Sequence, residues 1–180
     1  MMCRTFITTP ICPARRAFKR LIYSHGWLVE AIAATRTKHR FDLWAWVIMP
    51  EHVHLLLWTR PGTATKDVLA DIKRPVGQQA IVWLKERDPD FLERLAVRNK
   101  MRTYRRFWQA GPDHNVYTPE VAHRIVEYIH QNPVRRGLVA HAEDWLSSSA
   151  PEFAGINDVL LRVDRTLPTL VVIPHEQRSY

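Results

Sequence analysis

The chain has 180 residues, of which 46% are hydrophobic and 24% charged, a composition that excludes a disordered or low-complexity chain and suffices for a folded domain with a proper core. Its charge is unbalanced: 26 Lys and Arg face 18 Asp and Glu for a formal +8, and residues 151–180 hold three basic and four acidic side chains, so residues 1–150 alone carry +9. No apolar run approaches the roughly 18 residues of a membrane span, the N-terminus lacks a signal-peptide stretch, and Cys3 and Cys12 have no zinc or CxxC spacing, so a soluble cytoplasmic protein with no membrane partner is expected.

Residues 4–9 read as a short strand. After Pro13, the apolar positions Phe18, Leu21, Ile22, Leu28, Val29 and Ile32 recur at helical spacing and predict a helix over 14–36, loosened midway by Gly26. Residues 41–49 are bulky strand formers closed by Pro50 and Glu51, and 52–58 follow at once as a second strand, so the two predict a hairpin. Residues 65–73 predict a helix with Val68, Leu69 and Ile72 inward, kinked or broken at Pro75 and resuming over 76–86. Asp88 and Pro89 start a short helix to about Val97. Residues 103–109 then predict a strand, 110–113 a turn, and 114–117 a further strand. Thr118 and Pro119 cap a helix that runs to about Gln131 and stops at Pro133. The rest, with serines at 147–149, is expected to be irregular and to wrap the domain. Helices and strands alternate without a regular βαβ rhythm, which implies α+β with an antiparallel sheet.

Two basic stretches lie on this plan. Residues 1–24 hold Arg4, Arg15, Arg16, Lys19 and Arg20 and no acid; residues 94–106 hold Arg94, Arg98, Lys100, Arg102, Arg105 and Arg106 and no acid. Clusters of this kind suit phosphates, whose neutralisation releases condensed counterions. Tyr104, Phe107 and Trp108 sit among these arginines and read either as core or as platforms for unpaired bases.

Three residue types carry possible chemistry. His52 and His54 are two apart on a strand, so both imidazoles project from one face, with Val53, Leu55 and Leu57 on the other. The pair reads as two ligands of one metal ion or as two partly exposed strand histidines. Tyr128 and Asn132 are one turn apart on one helix face. A phenol is a weak nucleophile unless a neighbouring charge stabilises its anion or polarises its target, so Tyr128 reads as core or, beside a metal, as an attacking group.

These pieces occur in a recognisable order. The run from Trp46 through Pro50, Glu51, His52, Val53 and His54 to Leu57 resembles the metal-binding motif of the HUH single-tyrosine transposases, and more narrowly that of the REP-associated tyrosine transposases. The run from Tyr128 through His130, Gln131, Asn132 and Pro133 to Val139 is similar to the tyrosine helix and exit loop of the same group. Phe107, Trp108 and Gln109 resemble its Trp-Gln strand, and Trp145, Ser147 and Ser148 its trailing segment.

The resemblance implies a ferredoxin-like or RRM-like antiparallel sheet with packed helices, in a transposase domain over 1–149 followed by a C-terminal extension, 150–180, of no assigned role. It implies a DNA strand-transferase that cleaves and rejoins single-stranded or hairpin DNA. Tyr128 would form a 5′-phosphotyrosine link, and His52 and His54 would bind magnesium or manganese. Asn132 matches the third ligand position, with His130 and Gln131 as adjacent rivals. An insert over 76–100, longer than in compact members and ending with Arg98 and Lys100, is expected to help grip DNA, and Arg102, Arg105 and Arg106 just beyond it are expected to contact DNA as well. The alternative is a non-catalytic DNA hairpin-binding protein. Both a monomer and a homodimer are compatible with the resemblance.

Overall fold

A computed structural model of the chain describes residues 3–10, 23–99, 101–109 and 113–169. In chain order the elements are β1 (Cys3–Pro10), α1 (Tyr23–His39), β2 (Asp42–Ile48), β3 (His52–Thr59), α2 (Thr65–Arg87) and α3 (Pro89–Arg94). There follow β4 (Ala96–Arg98), β5 (Thr103–Arg105), β6 (Asp113–Asn115), α4 (Pro119–Arg135), a 3-10 turn (Ala142–Asp144) and the single-turn α5 (Ala150–Phe153).

Four strands make one antiparallel sheet in the order β2-β3-β1-β6. With α1 between β1 and β2, and α2 between β3 and β6, this is the ferredoxin-like arrangement, and the fold is α+β. The strands bury both faces. Ile7, Val53, Leu55 and Leu57 meet Leu28 and Ile32 of α1 and Val68, Ile72 and Val76 of α2 on one side. Leu56 faces the other side with Trp44, Val47 and Met49, against Ala122, Val126 and Ile129 of α4. A register shift between Leu43 and Ala45 changes the alternation of β2. It turns Trp46 and Ile48 to the α1–α2 side, along with Leu43.

β2 is an edge strand, and the C-terminal part of the chain covers it. Ser149 N–H donates to the Trp46 carbonyl (2.9 Å) and Ile48 N–H to that of Ser147 (2.8 Å). Further along, Asp164 N–H donates to Leu43 O (2.8 Å), while the Asp164 carboxylate accepts from Leu43 N–H (2.8 Å). Leu161 and Val163 are buried in the α1–α2 core. Residues 161–164 are therefore part of the packed structure.

Five local expectations are corrected. Pro75 does not break its helix: α2 is continuous over 23 residues. Proline removes one backbone donor and crowds a carbonyl, but Pro75 sits on the exposed face while Val68, Leu69, Ile72, Val76, Ala80 and Leu84 are all buried. Burial on both sides of the proline outweighs the local defect. The short helix after Asp88 ends at Arg94 rather than near Val97, because Ala96–Arg98 pairs with Thr103–Arg105 as a two-stranded hairpin. The strand expected over 103–109 is correspondingly confined to 103–105. The helix expected to stop at Pro133 runs on to Arg135. Its true stop is Gly137, whose φ of 64° allows Leu138 N–H to reach the Pro133 carbonyl (3.0 Å) and Gly137 N–H that of Val134 (2.9 Å). Gly26 does not interrupt α1, and residues 14–22 of that expected helix lie outside the described residues.

Because Pro75 is exposed and interior to a helix, Pro75→Ala is expected to stabilise the protein by about 1–3 kcal/mol. Urea unfolding checks this; an unchanged midpoint would mean that α2 has already relaxed around the ring.

Candidate active site

β3 places His52 and His54 on the face that α4 covers. Register sets their neighbours: Thr8 of β1 lies opposite His54 and Pro10 opposite His52. α4 is started by Thr118, whose hydroxyl accepts from Val121 N–H (3.3 Å), with Pro119 in the first turn. Its inward residues Ala122, Val126 and Ile129 seat it on the sheet. The face bearing Tyr128 and Asn132 then meets the histidines.

His54 is 2% exposed. Its Nε2 accepts from the Asn132 amide (3.1 Å), which leaves the proton on Nδ1, bonded to the Thr8 hydroxyl (3.0 Å). Asn132 also hydrogen-bonds His52, so its amide lies between the two imidazoles. The His52 and His54 ring centroids are 4.5 Å apart. Burial, with a smaller contribution from His52, pushes the His54 pKa down to about 3. Burial also lowers that of His52, opposed by Glu51 and by the bond to Asn132. His54 is therefore neutral at physiological pH, with its Nε2 lone pair facing the Asn132 amide.

Tyr128 is 38% exposed, with its ring 5.4 Å from that of His54 and edge-on to Phe6 at 6.0 Å. Phe6 in turn stacks on His54 at 5.4 Å. The Arg135 guanidinium lies 5.3 Å from the Tyr128 ring centroid. Arg136 forms an ion pair with Glu51, whose carboxylate is 4.0 Å from His52 Nδ1.

The structure thus brings Tyr128, His52, His54 and Asn132 together. It does not bring in His130, whose Nε2 bonds the Ser149 hydroxyl (2.8 Å) and whose ring packs on Phe153. No hydrogen bond links Gln131 to either histidine. The basic residues lie elsewhere, on the β4–β5 hairpin, where Arg98, Arg102 and Arg106 are exposed. Arg105 is instead paired with Glu93, and Lys100 lies outside the described residues. Phe107 and Trp108 are core or packed against it rather than free platforms. Sequence reasoning missed Thr8, Phe6, Glu51, Arg135 and Arg136. Arg135 is seven residues beyond Tyr128, a helical spacing that shows once α4 continues past Pro133.

Among the described residues no three His, Cys, Asp or Glu side chains form a metal cluster. The donor set present is two imidazoles and one amide. It fits a small divalent ion on one observation: the 3.1 Å between His54 Nε2 and the Asn132 amide equals the roughly 3 Å between adjacent donors around an octahedral ion with bonds of about 2.1 Å. Turning the amide would present its oxygen, and the Thr8 hydroxyl is placed to accept from His54 Nδ1 in the tautomer whose Nε2 lone pair is free for a metal.

Burial also holds the His130 pKa down, to about 4. In the unfolded chain a histidine takes its proton near 6.5, whereas folded His54 and His130 resist it until about 3 and about 4. Below 6.5 the unfolded state binds more protons, so stability falls with pH from there toward 4, on the order of a few kcal/mol. A pH series of thermal melts checks this, and His130→Gln is expected to flatten it. An equally steep series in that variant would exonerate His130.

No family model matches the chain. A curated relative, the REP-associated tyrosine transposase of Escherichia coli (strain K12), is 27% identical over 139 residues, which cover 72% of this chain and 67% of the relative. A solved structure of a REP-associated tyrosine transposase bound to a REP hairpin matches with a TM-score of 0.61 at 19% identity, covering 95% of this chain and 93% of that one. Among the described residues no helix is long and apolar enough to cross a membrane.

Proposed function

We propose, for a chain that resembles the REP-associated tyrosine transposases of the HUH type in both sequence and fold, that it cleaves and rejoins single-stranded DNA bearing a hairpin. The observation that carries this reading is the convergence of one helix on the histidine pair. Tyr128 lies against His54, and Asn132, one turn further on, bonds its Nε2.

In this reading the Tyr128 hydroxyl attacks a phosphodiester. The new bond joins its oxygen to phosphorus, the bond to the 3′-oxygen breaks, and a 5′-phosphotyrosine and a free 3′-hydroxyl result. Attack by a 3′-hydroxyl on the phosphotyrosine reverses the exchange, so phosphodiester energy is conserved and no nucleotide triphosphate is consumed. His52, His54 and Asn132 would hold magnesium or manganese, which when bound polarises the phosphate and stabilises the charge developing on its oxygens. Arg135, against the tyrosine ring, places positive charge beside the attacking group. Thr8 holds the His54 ring in place and can accept from Nδ1 in the tautomer that leaves Nε2 free of a proton.

The hairpin over 96–105 supplies the grip on phosphates. Alanine at Arg98, Lys100 and Arg102 together is expected to weaken DNA binding and to reduce the slope of log affinity against log salt by about 2–3. Unchanged affinity and slope would remove this part of the reading.

The decisive experiment is incubation with labelled, hairpin-bearing single-stranded DNA and manganese, followed by a denaturing gel. A covalent protein–DNA adduct is the expected product. Intact binding without an adduct on several hairpins would leave a non-catalytic hairpin-binding protein.

A further inference from the structure

The β4–β5 hairpin has an apex the reading above does not use. Met101 is 94% exposed there, the side chain of an apolar residue held out into water. Its backbone is fixed: the Asn99 carboxamide oxygen accepts from Met101 N–H (3.0 Å) and Arg102 N–H (2.8 Å), and Asn99 N–H donates to the Arg102 carbonyl (3.1 Å).

The surroundings are cationic. Arg102, Tyr104 and Arg106 alternate along one side of the chain. The guanidiniums of Arg102 and Arg106 lie 5.4 and 5.5 Å from the Tyr104 centroid, and Arg106 donates to the Tyr104 hydroxyl (2.6 Å). Among the described residues no carboxylate pairs with Arg98, Arg102 or Arg106. Gathering like charges around one ring with no counter-charge is costly unless an anion binds there. With two guanidiniums on it, the Tyr104 ring organises cations instead of offering a free stacking surface.

The hairpin is also rigidly mounted. Arg106 N–H donates to the Leu95 carbonyl (2.9 Å), and Arg105 pairs with Glu93. Phe107 is buried, and the Trp108 indole lies 3.4 Å from where a Cβ on Gly77 would stand and donates to the Lys73 carbonyl (2.7 Å). Trp108 shares a small cleft with Thr9 and Val53, and Val53 is the residue between the two histidines. The root of the hairpin therefore sits at the same end of β3 as the histidines but against the opposite face of the sheet.

We propose that this tip is a wedge for DNA, with Met101 entering the base stack where a duplex stem opens into single strand, and Arg98, Arg102 and Arg106 on the flanking phosphates. The proposal rests on the nucleic-acid half of the function proposed above. A flexible, unbranched apolar side chain between cations matches how proteins pry base steps apart. Docking to another protein through this tip is disfavoured by the same chemistry, since one exposed methionine at the end of a basic hairpin is not a contiguous apolar patch.

The test uses the full chain and a stem with a single-stranded extension, carrying 2-aminopurine at the last paired position. Fluorescence is read in EDTA, and adduct formation on the same oligonucleotide is read separately with manganese. Binding is expected to raise the fluorescence at least twofold, with the rise lost in Met101→Ala and restored in Met101→Leu. An equal rise and equal affinity in Met101→Ala would overturn the wedge. So would a change of oligomeric state in that variant with the fluorescence response intact, since Met101 would then serve a second copy of the chain. An adduct with no fluorescence rise overturns the wedge and leaves the cleavage reading standing; a rise with no adduct does the reverse.

Discussion

Tyr128→Phe is expected to abolish the covalent adduct and to lower DNA cleavage by at least about 1,000-fold, while hairpin affinity changes less than about twofold. The variant isolates one atom. The contacts described for Tyr128 are contacts of its ring: the His54 ring at 5.4 Å, Phe6 at 6.0 Å and the Arg135 guanidinium at 5.3 Å. Phenylalanine keeps all three. At 38% exposure, losing the hydroxyl should alter folding stability by no more than about 0.5 kcal/mol, so loss of activity will not report unfolding. The experiment also separates two chemistries that share the histidine pair. If water attacked the phosphodiester, Tyr128→Phe would cleave as fast as the parent and release a free 5′-phosphate. A phenylalanine variant that still cleaves would therefore remove the tyrosine from the mechanism.

What the sequence disclosed follows the range of the forces involved. The His52–His54 alternation is a property of one strand, and the opposite facing of Val53, Leu55 and Leu57 follows from it; both are found in the fold. The convergence of Tyr128 and Asn132 on one helix face was legible for the same reason. What was not legible depends on pairing between distant segments. Thr8 orients His54 only because β1 lies beside β3 in one register, and no local pattern in residues 3–10 encodes that register. Ala96–Arg98 reads as a helix tail until Thr103–Arg105 is paired with it.

The two prolines show a different limit. Pro75 and Pro133 are strong local stop signals, yet both lie inside helices. At Pro133 the sequence did carry the correct signal, because Gly137 can adopt the positive φ that ends the helix. The difference matters to the site. The added turn is what brings Arg135 onto Tyr128 and Arg136 onto Glu51.

His54→Ala is expected to weaken manganese binding by the DNA-free protein at least about 100-fold and to remove adduct formation with it. Replacing a group that merely orients a ligand costs 10–100-fold, and a ligand should cost at least as much. Calorimetric titration with manganese reads this without any turnover. His54 is buried and joins Thr8 to Asn132, so its loss also strands two polar partners, at about 1–3 kcal/mol of stability. His52, less buried, provides the gentler variant, and His52→Ala should show the same metal defect with a smaller fall in melting temperature. Asn132→Asp then distinguishes a ligand from a spacer. If the amide oxygen coordinates, an ionised carboxylate at the same place tightens manganese binding. If Asn132 only hydrogen-bonds the imidazoles, the substitution instead raises the proton affinity of both histidines through its negative charge, and metal binding acquires a steeper pH dependence without becoming tighter. Equal manganese affinity in His54→Ala and the parent would place the ion elsewhere and leave the histidine pair as a hydrogen-bonded support for the tyrosine helix.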